Sequence, residues 1–136
     1  MAGKPVLIST RWKGGLQFEG GPAGRPATLV DGDSKATSSP VELLVLAGAT
    51  CTGADIISIL EKMRVRIAIF EIDVRAERRE EQPRCLTAVH FRFRVVGEGV
   101  DEAKVHRAAD LSLEKYCSVM ASLKPDIAVS YDVVLA

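Results

Sequence analysis

The residues with the most chemistry to offer are three cysteines, Cys51, Cys85 and Cys117. A deprotonated thiol is the nucleophile and the redox-active species, and its surroundings decide whether it forms. Cys51 lies in a run from Ser39 to Leu60 that is apolar on nearly every side, between Gly48 and Gly53, which strip bulk from both sides of it. Two readings follow: a redox thiol at or near a subunit seam, or an inert core cysteine, since free cysteine is among the most buried residue types. Cys117 follows Tyr116 near the junction of two helical segments, where a thiol at a helix N-terminus has its proton affinity lowered. Cysteines on two helices of one small domain can meet in space; their separation in sequence neither shows nor forbids it. Cys85, beside Pro83-Arg84 at the start of a strand, reads as a peripheral passenger.

Asp55, four residues after Cys51, shares its helix face and is placed to order a water or a backbone group. Unpaired, its charge would raise the proton affinity of the thiol, and an arginine partner would offset that. His90, on the polar side of a strand, and His106, in the first turns of a helix, lack the convergent spacing of three or four metal ligands. No Ser-His-Asp arrangement, phosphate loop or dinucleotide fingerprint stands in the sequence. Neither a metal nor another cofactor is expected.

The elements that must position the thiols are legible from periodicity. The run around Cys51 predicts a long helix over 38–64. Ser38 or Ser39 caps it, Pro40 takes the first helical position, and Glu42 sits near the positive end of the dipole. Before it, 1–37 reads as short strands: Lys4 to Trp12, Leu16 to Glu19 and Pro26 to Val30, separated by Gly14-Gly15 and by glycine-rich loops. After it come two long strands over 66–96. In the second, Val89, Phe91, Phe93 and Val95 alternate with His90, Arg92 and Arg94. A change of parity at Phe70-Glu71 predicts a bulge in the first. A second helical region over 101–123 starts at an Asp101 cap, and a final strand covers 127–135. The order is ββ(β)αββαβ, an α+β fold with mainly antiparallel strands in one domain over 1–136. A helix apolar all round must be buried on every side, which one small sheet cannot do. A second copy of the chain is therefore expected to cover the remainder, as an intimate homodimer.

The totals exclude several classes. The chain has 136 residues with 18 basic and 18 acidic side chains, and a balanced charge argues against a nucleic-acid partner. The long apolar run approaches bilayer length, but Glu42, Asp55, three hydroxyl residues and two glycines within it argue against membrane insertion. No positively charged start followed by an apolar segment suggests secretion, and three dispersed cysteines without a CxxC are no disulfide scaffold. A reducing cytoplasm is the expected location.

Three stretches together resemble the OsmC/Ohr family. They are Ser39-Pro40-Val41-Glu42-Leu43-Leu44 with Ala47 to Cys51 and Asp55 to Leu60, then Glu77 to Glu81, then Asp110 to Val119. The resemblance spans nearly the whole chain and is clearest from residue 38 onward. It implies an intertwined homodimer, with antiparallel sheets wrapped around a long buried central helix and two active sites at the subunit interface. It also implies roles. Cys51 would be the peroxidatic cysteine, whose thiolate attacks the O–O bond of an organic hydroperoxide. Cys117 would resolve the resulting sulfenic acid to a disulfide, and a dithiol reductant such as a lipoylated protein would restore both. The family's peroxidases place a Glu directly after the helix proline, where it orients an Arg over the thiol. Here Val41 stands in that place and Glu42 one residue later, about 100° around the helix. Arg25, and next Arg11, are the candidate arginines, and Ser118 stands where the peroxidases often carry Pro. The expected function is a thiol-dependent peroxidase acting in oxidative-stress defence, with Cys51, Cys117, Glu42, Asp55 and Arg25 as its site. The alternative is a non-enzymatic dimer that binds a small apolar ligand or senses redox state.

Overall fold

A computed structural model describes residues 3–136. The chain forms two compact units, one ending at Leu44 and one running from Val45 to Ala136. In the first, β1 (Ser9–Gly14), β2 (Gln17–Gly21) and β3 (Thr28–Asp31) make an antiparallel sheet in that order. The turn between β1 and β2 needs left-handed backbone at Gly14 and Gly15, which is why glycine stands at both, and the Trp12 indole N–H closes it on the Gly15 carbonyl at 2.9 Å. The expected first strand began at Lys4. The observed one begins at Ser9, because the apolar run Val6-Leu7-Ile8 has no partner strand among the described residues and stays exposed.

Asp31 organises the exit from β3. Its carboxylate accepts the backbone N–H groups of Asp33 (3.0 Å) and Ala36 (2.9 Å), and these bonds hold it below the usual carboxylate range. The chain then enters α1 (Pro40–Lys62) through a capping box. The Glu42 N–H donates to Ser39 Oγ (3.2 Å), and the Ser39 N–H donates to Glu42 Oε1 (2.8 Å), so two orphan donors satisfy one another's residues.

The second unit holds the rest of α1, then β4 (Arg66–Arg78), β5 (Leu86–Glu98), α2 (Glu102–Leu111), a single π turn (Ser112–Tyr116), α3 (Ser118–Ala121) and β6 (Ala128–Val134). β4 and β5 pair antiparallel over their length, and Phe91, Phe93 and Val95 turn inward with no exposed surface. The register shifts twice, between Ile67 and Ile69 and between Glu77 and Arg78, and not at Phe70-Glu71. The first shift sits opposite Gly97, where a Cβ would come 2.1 Å from the Arg66 carbonyl oxygen, so the backbones approach closely there and glycine is required. β6 joins β5 in parallel, with Phe91 opposite Tyr131 and Phe93 opposite Val133, after a crossover through α2 and α3. The second sheet is therefore mixed, a detail that the alternation of the strands could not carry.

α1 is the core helix of this unit. Gly48, Ala49, Thr52, Gly53, Ile56 and Leu60 are buried at helical spacing. Gly53 lets the helix lie close on β4, since a Cβ there would meet Ile72 Cδ1 at 2.7 Å. The opposite side of α1 is bare: Leu46 and Ile57 are exposed in the single chain, along with Thr50 and Ala54. The expectation of a helix buried all round therefore holds for one face only. At 23 residues α1 is long and apolar enough to cross a bilayer, and its inner face packs as the core helix of this unit.

Candidate functional site

The long helix and the segment after α2 bring two of the three cysteines together. Cys51 and Thr52 stand side by side on α1, Asp55 one turn later. Facing them is the stretch Ser112 to Met120, in which the π turn ends where Cys117 N–H donates to the Ser112 carbonyl at 2.7 Å. That i to i+5 bond widens the helix by one residue and swings Cys117 out of helical conformation, to φ −72° and ψ 100°. Cys117 then becomes the cap of α3, a place usually held by a side-chain oxygen.

Two hydrogen bonds hold its sulfur, and two further contacts tie its segment to α1. The Thr52 hydroxyl donates to Cys117 Sγ at 3.3 Å, and the Met120 N–H donates to the same sulfur at 3.5 Å. Ser112 Oγ donates to Asp55 Oδ2 at 2.8 Å, which ties the start of the π turn to α1. Gly48 leaves room for the Met120 thioether, which would lie 3.0 Å from a Cβ at that position. Thr52 and Ser112 have no exposed surface and Cys117 has 3 %, whereas Cys51 is only half-buried. Burial pushes the Cys117 thiol above its ordinary pKa. The Thr52 and Met120 donors pull it down, and the neighbouring Cys51 thiol pushes it up again. Cys51 is next in sequence to Thr52, whose hydroxyl lies 3.3 Å from Cys117 Sγ, so the two cysteines are neighbours in the fold. Both are free.

Asp55 was expected to order a water or a backbone group; the partner observed is the Ser112 side-chain hydroxyl. Asp55 also borders a groove of about 420 Å³ lined by Ile59, Met63 and Leu111 together with Ser58, Lys62, Arg107 and Tyr116, and by neither cysteine. Glu42 belongs to the first unit, where its carboxylate is occupied by the capping box and by the Ser34 hydroxyl. Those donors hold it below its ordinary pKa. Arg25 and Arg11 line one shallow depression of that unit, and Arg11 lies 3.7 Å from Glu19. Cys85 is half-buried at the β4–β5 connection, its backbone N–H bonded to the Pro83 carbonyl.

Two residues of the thiol site, Thr52 and Ser112, were not singled out by sequence reasoning. The signal for both is a hydroxyl on a face otherwise apolar, since a buried hydroxyl requires a partner. A further polar row escaped it altogether. Parallel pairing of β6 sets Ser130 and Asp132 beside His90, with His90 Nδ1 2.7 Å from Ser130 Oγ and Nε2 2.9 Å from Asp132 Oδ1. The absence of a Ser-His-Asp arrangement was a statement about sequence spacing, and strand pairing overturns it. Asp132 also receives Arg92, and the row lies on an open sheet surface as a shared, exposed ion pair.

The family model described as OsmC-like protein matches residues 32–132. The protein YhfA of Escherichia coli K12 is 40% identical over 129 residues, 93% of this chain and 96% of that one. Among solved structures, a protein from Aquifex aeolicus VF5 superposes with a TM-score of 0.85 at 26% identity, covering 98% of each chain. The organic hydroperoxide resistance protein OhrB of Bacillus subtilis shares the fold with a TM-score of 0.63 at 13% identity, over 96% of this chain and 98% of that one.

Proposed function

The chain belongs to the OsmC-like protein family, and from that premise we propose that it is a thiol-dependent peroxidase reducing organic hydroperoxides through Cys51 and Cys117. Family membership supports a redox or peroxide-stress role. The observation that carries the specific reading is that two free cysteines from distant parts of the chain are neighbours, one half-buried and one buried, with Cys117 Sγ held at 3.3 Å by the hydroxyl of the residue next to Cys51. The Cys51 thiolate attacks the outer oxygen of the O–O bond, that bond breaks, and the alkoxide leaves as the alcohol after taking a proton. Cys51 is then a sulfenic acid. The Cys117 sulfur attacks the Cys51 sulfur, the S–O bond breaks, and hydroxide leaves as water with the proton from Cys117. A dithiol reductant, in the family's manner a lipoylated protein, supplies two electrons and two protons to restore both thiols.

The apolar helix that carries Cys51, with Leu46 and Ile57 exposed on it, suits an organic peroxide better than hydrogen peroxide. Arg25 or Arg11 is the proposed cation for the reactive thiolate, and a cytoplasmic homodimer the proposed assembly. Reduced protein treated with one equivalent of an organic hydroperoxide, then alkylated and weighed intact, tests the cycle. Rapid loss of two alkylatable thiols, mapped to Cys51 and Cys117, is expected, with slower loss under hydrogen peroxide. Full turnover by Cys51→Ser would overturn it.

One observation favours the second reading, a dimer that binds a small apolar ligand without turnover. Val41 replaces the family's activating Glu, and the nearest carboxylate, Glu42, is already committed to the helix cap. A ligand that raises the melting temperature and shields Cys51 from alkylation, with three thiols still free after peroxide, would establish it.

A further inference from the structure

We propose that Thr52 is a positioning residue for the resolving step: its hydroxyl, donated to Cys117 Sγ from the position next to Cys51, aims that sulfur at Cys51 and supports it as it sheds its proton.

The choice of partner is the first argument. A threonine hydroxyl inside a helix has a ready acceptor in the carbonyl four residues back. Thr50 takes that option, donating to the Leu46 carbonyl at 2.9 Å. Thr52, two residues on, gives its proton to a sulfur at 3.3 Å, a weak acceptor while the sulfur is a thiol. The same bond becomes charge-assisted once the sulfur is a thiolate, when it is roughly twice as strong as a neutral one. A hydrogen bond that strengthens as charge develops favours the reacting state over the resting one.

The second argument is placement. Thr52 has no exposed surface, and valine has nearly its shape, so Thr52→Val removes the hydroxyl while leaving the space filled. The Met120 N–H, at 3.5 Å, is the other donor on the same sulfur. Together the two donors oppose the burial that keeps Cys117 protonated. Of the titratable groups on this part of α1, Cys51 raises the proton affinity of Cys117, and the Asp55 carboxylate is engaged by Ser112. Glu114, Lys115 and Tyr116 on the π turn are exposed. In the step itself Cys117 loses its proton, its lone pair forms the S–S bond, and the S–O bond of the Cys51 sulfenic acid breaks to release hydroxide. That hydroxide and the proton make water.

This inference takes its reaction from the peroxidase reading, but its first measurement does not depend on it. In a background of Cys51→Ser and Cys85→Ser, Cys117 is the sole thiol, and its ionisation is followed by thiolate ultraviolet absorbance against the same protein carrying Cys117→Ser. Thr52→Val is expected to move the midpoint to higher pH and Thr52→Ser to return it. An unmoved midpoint in a folded Thr52→Val protein overturns the proposal. If valine prevents folding, Thr52→Ala carries the same readout. In the second arm, with Cys51 restored, a sulfenic-acid trap added after one equivalent of organic hydroperoxide reads the lifetime of the intermediate. Thr52→Val is expected to lengthen it about tenfold or more, the size of a lost hydrogen bond to a charged group. An unchanged lifetime overturns the proposal; failure of every variant to form a sulfenic acid overturns the peroxidase reading and leaves the midpoint to judge Thr52.

Discussion

Cys117 shows how much one burial decides. From its place after Tyr116, a lowered proton affinity was expected, because helix N-termini favour thiolates. The structure reverses the sign. Desolvation at 3 % exposure outweighs the Thr52 and Met120 donors, and α3 is only a single turn of helix. That reversal has a consequence for stability. A thiol whose folded pKa lies above its unfolded value of about 8.5 contributes stability that is whole below that pH and is lost as pH rises through the folded value. Tyr131 acts in the same sense at higher pH, because burial and its bond to Asp110 raise it as well. Melting temperature under reducing conditions is therefore expected to fall on the alkaline side, and Cys117→Ser is expected to remove the earlier part of that fall. An identical pH profile in the two proteins would show that Cys117 titrates alike folded and unfolded.

At the scale of elements, the start of α1 and the bulge of β4 give separate tests. Glu42 was a candidate site residue, and its observed partners are Ser39 and Ser34. Glutamine preserves a capping box, so Glu42→Gln is expected to keep both stability and thiol reactivity. Ser39→Ala, which removes the acceptor for the Glu42 N–H, is expected to cost about 1 kcal/mol by urea unfolding. Loss of peroxide reactivity in Glu42→Gln at unchanged stability would return Glu42 to the site. Gly97→Ala places a Cβ against backbone at the bulge, not against a side chain that can turn away. It is expected to destabilise by about 1–3 kcal/mol or more in the same assay, while Gly3→Ala, which meets nothing within 4 Å, serves as the control.

For the whole molecule the open question is the cover of α1. Leu46 and Ile57 are exposed on a helix otherwise used as core, and Trp12 and Leu29 are exposed on the first sheet. These are the surfaces the proposed homodimer would bury. Light scattering is expected to give twice the 14.7 kDa chain mass, and Leu46→Glu with Ile57→Glu is expected to lower it to one chain. A single-chain mass for the unaltered protein across concentrations would remove the dimer.

Much of this chain was determined by the sequence itself, and for one kind of reason: the features depend on neighbours a few residues away. Alternation in Val89 to Val95 marks the strand and its inner face. The serine, proline and glutamate at 39, 40 and 42 start the helix, Gly14-Gly15 turns the first hairpin, and Asp101 caps α2 at 2.8 Å from the Lys104 N–H. The tertiary structure alone decided what depends on distant segments. The parallel register of β6 set Ser130 and Asp132 beside His90. The π turn aimed Cys117 back at α1, and Thr52 supplied a donor to its sulfur from 65 residues away. Periodicity states which face of an element is apolar. It carries no term for which hydroxyl meets which sulfur, because that pairing is made only when the crossover folds the second helical region onto the first.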